Sequence, residues 1–236
     1  MTYSLTFCWL LLGLGCSAAS CEKNAPERVE AVRISFEVPL AIAPARAAYA
    51  PGDTLWLSAD FSDSVQVFNG PGRHRLPPAQ FDFKTVVSFQ EFVAPARTLA
   101  EQPGAGNAFA VVSRVGALGP PGRESAPLDF AHANGRYRAR VGLIPRRRGV
   151  FGVSFVSGSA GVGVTRPPVD LSFLALPPAA DGTRQVAQLE SVLYPVNGGQ
   201  TNLALLRASA TLTTALAPTP ANIAYQERGV YTFAVQ

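Results

Sequence analysis

Three cysteines, two histidines and a few aspartates are the residues of this chain with chemistry to offer. A thiol can carry an acyl group, a disulfide, a metal or a nucleophilic step. Cys8, Cys16 and Cys21 all lie at the extreme N-terminus, and the remaining chain has no cysteine. The body of the chain therefore has no disulfide framework, no Cys-based metal site and no thiol nucleophile. His74 and His132 are the only imidazoles. A triad would need one of them beside a serine on a strained turn. No Gly-x-Ser-x-Gly elbow occurs; Val156-Ser157-Gly158-Ser159 lacks the leading glycine. His74, between Arg73 and Arg75, and His132, between Ala131 and Ala133, read as solvated loop residues. A zinc site needs three or four ligands at suitable spacing, and His and Cys are too few. No catalytic residue, metal ligand or cofactor site is expected.

Oxygen ligands are the remaining option. Asp60 and Asp63, with Asp82 on a neighbouring strand, are candidates for a small calcium site. The plainer expectation is that Asp60 and Asp63 bond local backbone in turns. Asp53 and Glu91 have no partner that argues for a glycosidase pair. Gly158–Gly163 resembles a phosphate loop only superficially, since it lacks the lysine and the following helix. Arg146-Arg147-Arg148 reads as a solvated turn, with contact to anionic lipopolysaccharide as the functional alternative. The net charge is +4 and the lysines are only Lys23 and Lys84, so no dense basic stripe points to nucleic acid.

The N-terminus carries an address. Leu5–Leu14 is an apolar run of about ten residues, too short for a span of about 20 and right for a signal-peptide core. Ser17-Ala18-Ala19-Ser20 then leads into Cys21, the arrangement of a bacterial lipobox. Cys21 is the expected lipidation site and Cys16, after Gly13-Leu14-Gly15, the alternative. Acyl chains on that thiol would hold the chain to a bilayer, at about 0.8 kcal/mol per buried CH₂. Met1-Thr2-Tyr3-Ser4 lacks the usual basic residue. An ordinary signal cleaved after Ser20, and a cytoplasmic protein with an apolar N-terminus, are the other readings of the same residues. This division gives a signal peptide at 1–20 and a tether at 21–28.

The elements that must position everything else are strands. With 20 Pro, 21 Gly, 47% hydrophobic and 15% charged residues, the chain has material for a core but many turns. The clearest element is Tyr49–Gly70. Pro51-Gly52 suits a type II turn. Leu55, Leu57, Ala59 and Phe61 then alternate with Thr54, Trp56, Ser58 and Asp60. Trp56 falls on the face away from the core set, where packing under a loop or second layer is expected before a sugar-stacking role. Strands are also predicted over Val29–Leu40, Phe81–Val93, Phe109–Val115, Leu171–Leu176, Arg184–Tyr194 and Gly229–Val235. Gly135–Ser157 reads as a hairpin through Pro145–Gly149. Residues 69–80, 94–107 and 116–127 read as loops. Thr201–Ser209 reads as a short helix capped by Thr201 or Asn202. Gly135-Arg136-Tyr137 and Gly229-Val230-Tyr231 share the pattern Gly-x-Tyr-x-x-x-Val, like the late strand of immunoglobulin-like sandwiches.

Taken together, Cys21-Glu22-Lys23, Gly52-Asp53-Thr54-Leu55-Trp56-Leu57, Phe61-Ser62-Asp63-Ser64, Phe81-Asp82-Phe83-Lys84-Thr85, Gly135-Arg136-Tyr137, Ile144-Pro145 and Gly229-Val230-Tyr231-Thr232-Phe233 resemble uncharacterised lipoproteins of Bacteroidota. That resemblance implies anchoring at the outer membrane and a β-fold; it implies no activity. The expected fold is all-β, an antiparallel Ig-like sandwich with one short helix near 201–209. Residues 29–157 form the sandwich domain; 158–236 continue it or form a second small β unit. The expected role is a non-catalytic binding or structural module of the cell envelope with an envelope protein or glycan as partner. The alternatives are a glycan- or peptide-binding accessory of an uptake system, a hydrolase without a recognisable motif, and an envelope-assembly factor that accepts a donated strand.

Overall fold

A computed structural model describes residues 28–157, 169–212 and 220–236. The signal peptide, both candidate lipidation cysteines, the tether up to residue 27 and the glycine-rich stretch at 158–168 lie outside the described residues.

The fold is an all-β sandwich with short helical additions, Leu203–Ser209 and Pro220–Ala224. One sheet is centred on Arg136–Pro145. Leu55–Ser62 and then Ala41–Ala43 lie to one side of it, and Ala131–Ala133 and Phe109–Val115 to the other. The facing sheet runs Ala117–Leu118, Ser125–Asp129, Thr85–Glu91, Gly149–Ser157, Val230–Val235, Ala48–Tyr49. A third sheet extends the structure with Val169–Asp170, Arg184–Leu193, Val29–Glu37, Ser64–Val67 and Arg73–Arg75. Strand alternation dictates what each layer buries. Leu55, Leu57, Ala59 and Phe61 point inward together with Tyr137, Ala139, Val141 and Leu143. Phe89, Phe151 and Phe233 come from the facing sheet, and Phe109 packs against all three at 5.3–6.2 Å between ring centres. One continuous core runs from Ile34 to Val235. Residues after 169 add strands to sheets that residues 29–157 begin.

Most pairs are antiparallel, but Val29–Glu37 and Arg184–Leu193 pair in parallel, with a register shift between Ile34 and Ser35. Parallel partners need a long crossover, and here most of the chain lies between them.

Several expectations are corrected. Arg136–Pro145 and Gly149–Ser157 do not pair as a hairpin; they belong to opposite sheets. Alternating apolar residues on both arms satisfy a hairpin or an arch equally, because each arm needs only one buried face. The link is held as an arch. The Gly52 N–H donates to the Pro145 carbonyl and the Arg146 N–H to the Ala108 carbonyl. Arg147 forks onto Glu91 and lies over Phe151 at 5.3 Å. Gly149–Ser157 is also buried on both faces, because Phe92, Leu206, Ala210 and Val230 form a smaller cluster behind it. Residues 69–80 contain a strand, Arg73–Arg75, and 116–127 contain Ala117–Leu118 and the start of Ser125–Asp129. Leu171–Leu176 is not a strand: Asp170 accepts the Ser172 N–H, and the chain turns with Leu171 and Leu174 inward. The helix at Leu203–Ser209 has no side-chain cap. Asn202 adopts a left-handed backbone and spends its amide on the Arg46 and Thr232 carbonyls, while Thr201 donates to the Glu227 carbonyl.

Candidate functional site

The candidate site is an aromatic cleft of about 300 Å³ at the end of the sandwich. Three pieces of chain build it. Phe81-Asp82-Phe83-Lys84 leads into the Thr85–Glu91 strand. Leu128, Asp129 and Phe130 follow from the Ser125–Asp129 strand. His132 and Tyr137 face each other across a tight hairpin, Ala131–Ala133 with Arg136–Pro145. Asn134 and Gly135 make that turn with φ of 53° and 69°, the paired left-handed residues of a type I′ turn, where Asn-Gly is favoured.

The floor is a network of rings. Phe83 meets Phe81 and Tyr137 edge-on, each at 4.9 Å, and Phe61 stacks under Tyr137 at 5.2 Å. His132 tilts onto Tyr137 at 4.6 Å. The Tyr137 hydroxyl donates to the Leu76 carbonyl at 2.8 Å. Burial pushes the Tyr137 phenol up to about 12, and the negative fields of Asp63 and Asp82 act in the same direction.

The rim is polar. Asp82 Oδ1 accepts the Lys84 N–H at 3.1 Å, closing an Asx turn. Asp82 Oδ2, the Lys84 ammonium and the Asp129 carboxylate have no hydrogen-bond or ion-pair partner among the described residues. Lys84 holds φ at +41°; every other non-glycine residue with positive φ among those described is an asparagine. A left-handed side chain other than Asn or Asp costs roughly 1–2 kcal/mol, and such strain gathers at ligand sites.

The other residues singled out from the sequence fall as follows. Asp60, Asp63 and Asp82 do not converge. Asp60 stands on the outer sheet face, where the Arg136 bond at 2.7 Å and then the nearby Arg138 hold its carboxyl below the usual range. Asp63, nearly buried, accepts from Arg75 at 3.0 Å. Asp60 is thus a strand residue in an ion pair, not a turn residue. Among the described residues, no three His, Cys, Asp or Glu gather as a cation site. His74 and His132 stand on short strands of different sheets, not in loops. His74 is half-buried with its ring edge towards Phe36 at 6.3 Å. Trp56 lies on the outer sheet face, as its alternation required, and is half-buried there. The guanidinium groups of Arg140, at 5.1 Å, and Arg114, at 5.9 Å, lie over its ring. Arg147 pairs with Glu91 yet, like Arg146 and Arg148, stays exposed, so the arginine run remains a solvated turn.

The cleft was not anticipated from sequence. Phe81 and Phe83 read as core alternation, which they also are. The one available signal was Asn134-Gly135, which would have brought His132 opposite Tyr137. Compared with known proteins, the sequence matches no family model and no curated protein.

Proposed function

We propose that the protein is an exported lipoprotein, acylated at Cys21, whose sandwich is a non-catalytic binding module of the outer-membrane envelope. The aromatic cleft carries this reading: rings form its floor, while Asp82, Lys84 and Asp129 offer polar groups at its rim. Shaped apolar walls with a few placed polar groups are the usual make-up of a ligand site. Carboxylates that accept hydroxyl protons beside ring faces suit a sugar, so the glycan-binding accessory role is the favoured form. The apolar run Leu5–Leu14 and the small residues before Cys21 support the export and anchoring half, and the resemblance to Bacteroidota lipoproteins agrees with it.

Two experiments test it. Cells fed an alkyne fatty acid should label the full chain and fail to label Cys21→Ala; label lost only in Cys16→Ala moves the anchor. The detergent-extracted chain, screened on a glycan array, should show binding that Phe130→Ala and Asp82→Asn both reduce about tenfold or more. Binding that ignores both substitutions refutes the cleft as the site. The hydrolase reading draws on the same two carboxylates, Asp82 and Asp129; turnover of a bound glycan, lost in Asp129→Asn, would replace the binding role with it.

A further inference from the structure

Phe109–Val115 is an edge strand, paired with Arg136–Pro145 on one side only. Its free side is legible from the ladder. The Arg146 N–H donates to the Ala108 carbonyl, and antiparallel ladders alternate. Ala110 and Val112 therefore face Ile144 and Gly142 with their main-chain groups, and Val111 and Ser113 turn theirs outward. No other residue among those described pairs with those outward groups.

The outward edge borders a groove of about 470 Å³, lined by Phe109, Val111, Ser113, Leu118, Pro120 and Arg146 among others. The far wall comes from the facing sheet. After a left-handed Gly116, at φ +66°, the chain crosses over to Ala117–Leu118, itself the edge of that sheet. Leu118 spends its N–H on Ser113 Oγ at 3.2 Å. The groove is thus the open lateral seam of the sandwich, with apolar walls and unpaired backbone along one side.

We propose that this seam accepts a short extended peptide carrying a carboxylate, added as an extra strand beside Phe109–Val115. An extended segment gains main-chain bonds from Val111 and Ser113 and alternate side-chain contacts along the walls. Charge fixes the chemistry of the peptide. The groove lining includes no acid, and its one charged residue is Arg146. The register shift at Arg140/Val141 leaves Arg114 as an extra residue in the strand. Such a bulge with a charge ends pairing on an edge, so the available stretch is short. A second copy would bring the same arginines of both chains to one seam, whereas an acidic peptide neutralises them.

The test uses the full-length protein in detergent and a synthetic hexapeptide, Asp followed by alternating Val and Thr. Hydrogen exchange at the Val111 and Ser113 amides should slow when the peptide is added. N-methylation of its pairing amides should weaken binding about fivefold per lost bond. Val111→Pro removes one outward donor and keeps the ladder bonds of Ala110 and Val112; it should weaken binding by a similar factor. Arg146→Glu should reverse the preference between the Asp peptide and a Lys analogue. Binding indifferent to N-methylation, or protection away from 111–113, overturns strand addition. A concentration-dependent dimer abolished by Val111→Pro would give the seam to a second copy and overturn the peptide.

Discussion

Removing one oxygen from the cleft floor has an effect whose size changes with pH. In Tyr137→Phe the ring network is kept, but the Leu76 carbonyl, on a fully buried residue, loses its donor. Stranding a buried acceptor costs about 1–3 kcal/mol, so at neutral pH the variant should be less stable by that amount. The same phenol titrates near 10 in the unfolded chain and at about 12 in the folded protein. A raised folded value means stability is fully present below pH ~10 and lost as the pH climbs towards 12. Between these values the unfolded chain has released the proton and the folded one has not. By about pH 11 the wild type has lost a factor of about ten, or ~1.4 kcal/mol, that Tyr137→Phe cannot lose. The gap between the two proteins should therefore narrow steadily above pH ~9. Urea unfolding followed by far-UV circular dichroism at several pH values measures it. Tyr49, Tyr194 and Tyr225 are also raised, chiefly by burial, but they are common to both proteins and cancel in the difference. A gap that stays constant from pH ~8 to ~11 would refute the reasoning.

Substitutions at four further positions test other features of the fold and the cleft. Glu91→Gln should cost about 0.5–1 kcal/mol at pH 7, because the partly exposed fork from Arg147 holds the arch. That fork depresses the Glu91 pKa, so the wild-type advantage exists above the unfolded value of about 4.3 and should fade as acid titrates the folded carboxylate; a pH-independent difference contradicts it. Gly142→Ala puts a methyl 2.8 Å from Thr54 Cγ2 and 3.3 Å from Trp56 Cζ3; a loss of about 1–3 kcal/mol in chemical unfolding is expected as Trp56 is pushed from its arginines. Lys84→Gly relieves the left-handed backbone and should leave the melting temperature unchanged or higher, whereas Lys84→Val should lower stability by about 1–2 kcal/mol. Asp63→Asn removes one of the charges that raise Tyr137, so an ultraviolet titration of phenolate absorbance should show its midpoint lower than in the wild type.

What the sequence discloses here is local, and what it hides is partnership. Leu55-Leu57-Ala59-Phe61 is inward, and Trp56 outward, because period-two alternation is a property of a single strand. The fate of Arg136–Pro145 and Gly149–Ser157 depends on which edges they find, and alternation is silent about edges. Strands of two or three residues, such as Arg73–Arg75 and Ala131–Ala133, carry too few positions to show a period. The cleft suffers from both problems. Its walls come from residues 78–84, 128–132 and 137, and its aromatics are indistinguishable in sequence from core residues. Only the Asn134-Gly135 turn was local enough to be read.

The cleft stands where it does because strands change sheets beside it. Leu55–Ser62 leaves one sheet at Asp63 and re-enters another as Ser64–Val67. That bend breaks the ladder, and its backbone groups need partners. The Asp63 N–H finds the Gly135 carbonyl, and the Asp63 carbonyl takes the Leu76 N–H. The Leu76 carbonyl in turn takes the Tyr137 hydroxyl. The bonds close a ring from the bend through residue 76 to the tyrosine two positions after Gly135. The same bonds that repair the bend thus fix the Asn134-Gly135 hairpin and the orientation of Tyr137. A sandwich whose strands stayed in one sheet would have no gap at that end for rings to line. The corner is both where the fold spends hydrogen bonds on repair and where it leaves room for a ligand.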